Sequence, residues 1–523
     1  MRRTASGVSL VAPAARIVLL LALAAPRVLR LAYPQIWIED DWYINGAWMM
    51  SRGFLPYRDF PLPHLPALEL AVAALFSVVP ATLRAAEIVT QCAAYASSWL
   101  VFLIGRRLGD GFSGAAAAVI FATSALLFRY HLFEREVFVV VPVMAAVLLV
   151  SAPASRLPSS ARTTLVAVSA GALLALALAI KLSALAALVG VGLQLLFQRR
   201  RRCAALVVGT ALGLAGLAAI VLFVAFRADF IVQVILFRAV HATFPSLLVK
   251  FDEMRLTTDI AFALGMAGAI FIVWSRRAHR FAAPLFQLGC AFFFLLLLNP
   301  TYWAHTGIEL LPWLSLCGGC LIAAVGRALV PRSWLGHASH ALATRTKAIV
   351  CSGVCASLLL LVSPIPNLNW QAGDGSPYGL GYRDRSEIER VAAYVREHTK
   401  SDEVVATPPI IAFATNRREI IPYPEIAGTI EDLTASVRQR GYIATWADAA
   451  RYASFWDSVE ASRVRVAAHV AASVAQHVPA VVINDPPNDV MPVQFVNLSP
   501  EMLRANGYRF ESVTTHYEIW LRR

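Results

Sequence analysis

Apolar runs at or near membrane-spanning length follow one another from residue 10 to residue 363, and then they stop. Crossing a bilayer takes about 20 apolar residues, because about 30 Å of hydrocarbon is covered at about 1.5 Å per helical residue. Inside hydrocarbon each backbone donor and acceptor must be satisfied within its own segment, so runs of this length can only be helices. The chain is 58% hydrophobic and only 15% charged, too little charge to keep 523 residues in solution. The pattern predicts a polytopic α-helical membrane protein with about 11 spans in residues 1–363, followed by a segment of different texture. The expected spans are 10–32, 83–104, 112–128, 136–151, 163–180, 182–198, 203–226, 258–275, 281–298, 308–326 and 347–363.

The formal net charge of +13 does not mark a nucleic-acid binder, because of where it sits. Residues 1–363 carry 30 Lys+Arg against 14 Asp+Glu, and residues 364–523 carry 16 against 19. The excess belongs to the membrane part, where basic loops face the cytoplasm, and the remainder has no basic stripe to grip phosphate backbones. Arg199–Arg202, Arg276–Arg280 and the stretch from Arg327 to Lys347 are the basic loops. Counting back from them places Arg106-Arg107, Arg156, Arg162 and the N-terminus inside, with Asp110 as the one carboxylate in any inner loop. Glu39, Asp40, Asp41, Asp59, Glu134, Glu136, Asp252 and Glu253 all fall outside. Arg outnumbers Lys 42 to 4, as in GC-rich bacterial genomes, so the membrane is expected to be a bacterial inner membrane.

The alternation holds only if His64–Pro80 does not cross. Its apolar stretch is about 15 residues long between prolines, too short to span, and reads as a helix lying along the outer interface. Residues 33–82 then form one large outer loop. Arg2-Arg3, an apolar run and Ala24-Ala25 loosely fit a signal peptide, but the odd span count needs this segment kept as the first span. Arg27 and Arg30, a helical turn apart in that span, read as outer anchors, with phosphate contact as the alternative. Gly209-Thr-Ala-Leu-Gly213 reads as a place of close helix approach. The Cys317/Cys320 pair lies in a span without partner ligands and reads as apolar packing.

Residues 364–385 are a Pro/Gly-rich linker, and residues 386–523 read as a soluble α/β domain on the periplasmic side, expected to fold on its own. Ser386–Lys400 has helical periodicity, with Ile388, Val391, Ala392 and Val395 on one face. Val404–Ala406, Ala480–Ile483 and Glu518–Leu521 read as strands, and residues 434–477 as mainly helical. This part holds no cysteine and so no disulfide framework.

The chemistry-bearing residues collect on the outer side. The first outer loop reads Trp37-Ile-Glu39-Asp40-Asp41-Trp42-Tyr43, then Gly53-Phe-Leu-Pro56-Tyr57-Arg58-Asp59, then Pro63-His64-Leu-Pro66. Three consecutive carboxylates just beyond a span repel one another and sit at a costly place. A carboxylate there can take a proton from a hydroxyl or hold a divalent cation, or the run can be a solvated loop that enforces topology. The residues alone leave these open. Glu134, Arg135, Glu136, Lys181, Arg238, His241 and His305 join them at outer span ends, a set able to bind a phosphate.

This order of motifs resembles the GT-C superfamily of membrane glycosyltransferases, in particular the bacterial aminoarabinose transferases and protein mannosyltransferases. Glu39-Asp40, Tyr43, Gly53, Pro56-Tyr57-Arg58-Asp59 and Pro66 match the superfamily's first outer loop in order. Gly105-Arg-Arg-Leu-Gly109 resembles its basic turn after the second span, and Ile180-Lys181-Leu182 its lysine turn. Ile235-Leu-Phe-Arg238-Ala-Val-His241 resembles its His/Arg loop, and Trp303-Ala-His305 with Leu310-Leu-Pro312 its late outer motif. The usual acidic pair is Asp-Glu; here Glu39-Asp40-Asp41 stands in its place, so the base is one of three. The resemblance implies transfer of a sugar from a polyprenyl-phosphate donor to a cell-envelope glycan, lipid or protein. Asp40, Glu39 and Asp41 would be catalytic, and Tyr43, Asp59, Glu134, Arg135, Lys181, Arg238, His241 and His305 would bind substrate. It names no certain cofactor and leaves room for a divalent metal.

The topology has a direct check. A reporter active only outside the cytoplasm is expected to work when fused after Gly375 or inserted near Asp59, and to stay silent when fused after Arg201. A cytoplasmic Asp59 would overturn both the interfacial helix and the outer acidic site.

Overall fold

The structure, a computed structural model, describes residues 11–33, 35–37, 41–129, 132–151, 160–237, 247–294, 304–329, 382–420, 424–443, 445, 467–484, 498–514 and 517–523. It is mostly helical. In chain order come α1 (Val11–Ala32), α2 (Asp41–Ser51), α3 (Ala67–Phe76), α4 (Leu83–Leu108), α5 (Gly111–Ala122), α6 (Ala125–Arg129) and α7 (Arg135–Val150). Then follow α8 (Ser160–Ile180), α9 (Leu185–Phe197), α10 (Arg201–Phe226), α11 (Ala228–Ile231), α12 (Leu247–Trp274), α13 (Ala282–Phe292) and α14 (Gly307–Leu329). The first ten expected spans overlap these helices, with 112–128 divided between α5 and α6, while residues 295–298 and 347–363 lie outside the described ones. Among the described residues, Leu83–Leu108, Ala161–Ile180, Arg201–Phe226 and Gly307–Ala328 are long and apolar enough to cross a membrane by themselves.

Local chemistry sets where several helices begin. Thr82 caps α4 by accepting the Ala85 amide, Asp110 caps α5 by accepting the Ser113 amide, and Glu134 caps α7 by accepting the Arg135 amide. α14 lies at the centre of the bundle, packed against α5 and α12. The approach of α12 is close enough that a Cβ on Gly268 would sit 2.2 Å from the Cys317 carbonyl oxygen. α10 is the opposite case, with Leu217, Ile220, Val221 and Val224 all exposed, as a surface in hydrocarbon is. Gly209 and Gly213 are on this helix, and a Cβ on either would meet nothing within 4 Å among the described residues. Among the described residues, then, both glycines lie on the exposed side of α10 and make no close helix approach.

The two ends of the bundle differ chemically. At one end the basic turns meet: Arg327 pairs with Asp110, Arg280 donates to the Gly109 carbonyl at 2.8 Å, and Arg200 donates to the Val150 carbonyl at 2.6 Å. The other end carries α2, α3, the starts of α4, α7 and α14, and the end of α8. α3 has 10 residues, about 15 Å of helix, so it does not cross. It buries Leu68, Glu69 and Val72 against the bundle and leaves Leu70 exposed, as an interfacial helix does. Gln233, in a π-helical turn after α11, accepts from the Leu62 amide and donates to the Tyr57 carbonyl, both at 2.8 Å. That side chain ties the outer loop to the bundle.

The C-terminal residues form an α/β unit. A 5-stranded sheet runs in the order β4 (Arg418–Glu419), β3 (Val404–Ala406), β5 (Val481–Asn484), β7 (Glu518–Arg522), β6 (Tyr508–Val513). The β4–β3–β5 half is parallel and the β5–β7–β6 half antiparallel. α15 (Arg385–His398), α16 (Pro409–Thr415) and α17 (Pro424–Arg440) accompany it, and Val470, Val482, Leu503 and Trp520 pack on one side. The expected helix and three strands lie where the periodicity places them. The unit is docked on the helical bundle. α16 packs on α2, the Phe413 ring lies 5.9 Å from that of Phe76, and Arg385 pairs with buried Glu87 of α4. Part of the expected linker, β2 (Tyr382–Asp384), pairs with β1 (Gln35–Trp37).

The helix contacts predict a contrast between two glycines. Gly268→Leu is expected to cost at least the 1–3 kcal/mol typical of overpacking and to lower the thermal unfolding midpoint in detergent, whereas Gly209→Leu leaves it unchanged. Equal effects would contradict the assignment of buried and outward faces.

Candidate active site

Three helix ends converge at the α3 end of the bundle. α7 begins with Glu134, Arg135 and Glu136; α8 ends at Ile180, after which Lys181 turns to an extended backbone before a short 3-10 turn. His305 lies in the turn just before α14, and Glu309 is in that helix's first turn. Carboxylates at helix starts and a cation at a helix end suit the axial dipoles of the helices. Breaks in the helical ladder also free the backbone to aim side chains across the bundle.

Lys181 pairs with Glu136 and stands 3.7 Å from Glu309, and Glu309 accepts a hydrogen bond from the Ser183 hydroxyl at 2.6 Å. The His305 ring lies 3.5 Å from Glu136 and 3.8 Å from Glu134. Glu134 and Glu136 are 2% and 0% exposed, so these charges act on one another with little solvent screening. Glu134, Glu136 and His305 offer three ligand atoms within 4.8 Å of one another. Two carboxylates and an imidazole are a donor set suited to a divalent cation such as Mn²⁺ or Zn²⁺.

Arg135 faces the other way. It pairs with Glu69 of α3, donates to the Ile180 carbonyl at 2.8 Å and the Leu65 carbonyl at 3.2 Å, and lies 4.4 Å above the Tyr43 ring. Burial pushes the Glu69 carboxyl up and Arg135 opposes that. Tyr43 hydrogen-bonds His64 Nε2 at 2.9 Å. The Tyr43–Arg135 contact sets the first turn of α2, which opens at Asp41, against the Arg135 guanidinium.

Of the residues singled out in the sequence, Glu134, Glu136, Lys181 and His305 come together, with Arg135 and Tyr43 alongside. Glu39, Asp40, Arg238 and His241 lie outside the described residues, as does the Asp41 side chain. Asp59 accepts from Arg58 and from the Leu55 amide at 2.8 Å, and the Arg58 hydrogen bond holds its carboxyl below the usual range. Lys181 is partly buried and turned toward the carboxylates of Glu136 and Glu309. Arg27 and Arg30 do not anchor the outer surface either: they are 4% and 1% exposed, and Arg27 donates to the Leu127 carbonyl at 3.2 Å and to the Ala122 carbonyl. Cys317 and Cys320 are buried packing residues. The sequence reading missed Glu69, Glu309 and Ser183. A lone carboxylate inside an apolar run was the available signal for both glutamates, because such a charge is costly without a partner.

An apolar cleft among α7, α9, α13 and α14 is lined by Val143, Met144, Ala187, Ala291 and Trp313 and includes Glu309 on its wall. Glu309 thus borders both this apolar cleft and the charged cluster.

No family model matches the sequence, and no curated protein sequence matches it. Solved structures do match in fold. ArnT from Cupriavidus metallidurans bound to undecaprenyl phosphate superposes with a TM-score of 0.52 at 14% identity, covering 94% of this chain and 84% of that one. The oligosaccharyltransferase AglB from Archaeoglobus fulgidus, in complex with an inhibitory peptide and a dolichol-phosphate, gives 0.51 at 12% identity, covering 97% and 74%. Both are GT-C glycosyltransferases. The chain has the GT-C fold. The match extends over nearly the whole chain, so both the helical bundle and the C-terminal unit fall within the superposed region. At these identities the GT-C likeness is one of architecture, and the chemistry has to be argued from the residues.

Proposed function

We propose that this chain is a glycosyltransferase of the bacterial inner membrane that transfers a sugar from a polyprenyl phosphate to a cell-envelope glycan, lipid or protein on the periplasmic side. The observation that carries this is the meeting of Glu134, Glu136, Lys181, His305 and Glu309 beside the first outer loop, at the mouth of an apolar cleft. A lipid carrier needs both features, hydrocarbon for its tail and cations for its phosphate. ArnT and AglB, which share the fold, are seen with undecaprenyl phosphate and a dolichol-phosphate.

In this reading the tail lies along Val143, Met144 and Trp313, and Lys181 and His305 face the phosphate, with Arg238 and His241 as further phosphate ligands. Asp59 and Tyr43 belong to the acceptor side of the loop. If a divalent cation binds, Glu134, Glu136 and His305 would hold it, and it would then supply the positive charge toward the departing phosphate in place of a direct His305 contact. Asp40, flanked by Glu39 and Asp41, takes the proton from the acceptor hydroxyl. The hydroxyl oxygen forms its bond to the anomeric carbon as the bond from that carbon to the phosphate oxygen breaks, inverting the carbon and releasing polyprenyl phosphate. Arg135 holds the frame and does not touch the reacting atoms.

The test is transfer of labelled sugar from polyprenyl phosphate to envelope acceptors, in membranes holding equal amounts of each variant. Asp40→Asn should lower the rate by about 10²–10⁴-fold, and Glu39→Gln and Asp41→Asn by less. Lys181→Ala should weaken donor binding. Wild-type rates in all three acidic variants would make the cluster a topological feature. A wild type that transfers from no lipid-linked sugar, yet moves a lipid across the bilayer, would be a transporter.

A further inference from the structure

The ladder between β1 and β2 joins distant parts of the chain. Gln35 faces Asp384, Ile36 faces Arg383, and Trp37 faces Tyr382 in antiparallel register. Two three-residue strands are too short to hold each other unaided. What fixes β2 is the residue that follows it. Arg385 donates to the Tyr33 carbonyl at 3.3 Å and pairs with Glu87 of α4, whose side chain is 1% exposed. Arg84 reaches the same carboxylate at 3.4 Å. Asp384 caps α15 by accepting the Ser386 amide at 2.8 Å, and the Ser386 hydrogen bonds hold its carboxyl below the usual range. Strand β2 is therefore secured to the bundle from one side and to the C-terminal unit from the other.

β1 ends at Trp37, and α2 begins at Asp41. The upstream flank of Ile38-Glu39-Asp40 is thus held by β2. The downstream flank rests on the same unit: α2 packs against α16, and Arg418 lies 4.9 Å from the Phe54 ring centroid. Both flanks of the acidic segment are held by C-terminal residues, although more than 300 positions separate them in sequence.

We propose that the C-terminal unit is a clamp that positions the acidic segment for catalysis, and that Arg385, through Glu87 and Tyr33, is its positioning residue. This rests on the reading of that segment as the proton acceptor. Arg385 touches neither donor nor acceptor. Its effect comes from geometry, because a misplacement of about 1 Å at a reacting group costs on the order of 10²-fold in rate.

The test uses the full-length protein in membranes with lipid-linked sugar as donor. Arg385→Gln should lower kcat about 10–100-fold with the donor KM unchanged, since the cleft and Lys181 are untouched. Glu87→Gln should also lower kcat, and the double variant should lose less than the two single losses combined, because both break the Arg385–Glu87 pair. Ile36→Cys with Arg383→Cys places cysteines at facing positions of the ladder, and its oxidation in the Arg385→Gln background should restore kcat. A merely structural role would lower the amount of folded protein and would not be reversed by that cross-link in folded material. Wild-type kcat per folded molecule in Arg385→Gln, a loss confined to KM, or no recovery on cross-linking would overturn the clamp. Full transfer by Asp40→Asn alongside an impaired, rescuable Arg385→Gln would sink the base assignment alone.

Discussion

One guanidinium organises the working end of this bundle. Arg135 is 1% exposed, and its contacts reach four segments of the chain: Glu69 on α3, the Leu65 carbonyl before it, the Ile180 carbonyl at the end of α8, and the Tyr43 ring on α2. A charge so deeply buried is tolerated only when its donors are satisfied, and the planar fork of arginine satisfies several at fixed angles. With Arg135 held, α3 lies across the bundle end, Lys181 is set where α8 stops, and α2 starts against the same guanidinium. The flanking residues Glu134 and Glu136 are left to face Lys181 and His305.

The rest follows from the conflict between hydrocarbon and charge. Along their length the helices pack through small residues or present leucine and valine outward, and they keep charge at their ends. The two ends then take different roles. One gathers arginines at short turns with Asp110 as counter-charge; the other gathers carboxylates, a lysine and a histidine under an interfacial helix and a docked α/β unit. An apolar cleft bordering that second end at Glu309 suits a ligand that is itself half lipid and half phosphate.

The sequence shows much of this plainly because period and charge are local signals. Helix 385–398 and strands 404–406 and 481–484 fall where the pattern sets them, and loop alternation alone puts Glu134, Glu136, Lys181 and His305 on one side. What it hides is which face of a helix meets which neighbour. The glycines at 209 and 213 look like a packing motif, but composition does not say whether the packed side of α10 contains them. Arg27 and Arg30 look like surface anchors, but the carbonyls that Arg27 reaches are about a hundred residues away. Glu69 and Glu309 pass as stray charges in apolar runs until Arg135 and Lys181 are placed against them. The pairing of 35–37 with 382–384 has no local signature at all, since three extended residues carry too little pattern to show a partner.

The account stands on the charged cluster as the seat of a lipid phosphate. The most direct measurement is an experimental structure of the protein in lipid nanodiscs with a polyprenyl phosphate added. The account predicts the phosphate within hydrogen-bonding distance of Lys181 and His305, with the first isoprene units against Met144 and Trp313. A phosphate bound instead among Arg107, Arg200 and Arg280 at the opposite end, or a cluster closed over with the lipid elsewhere, would contradict it.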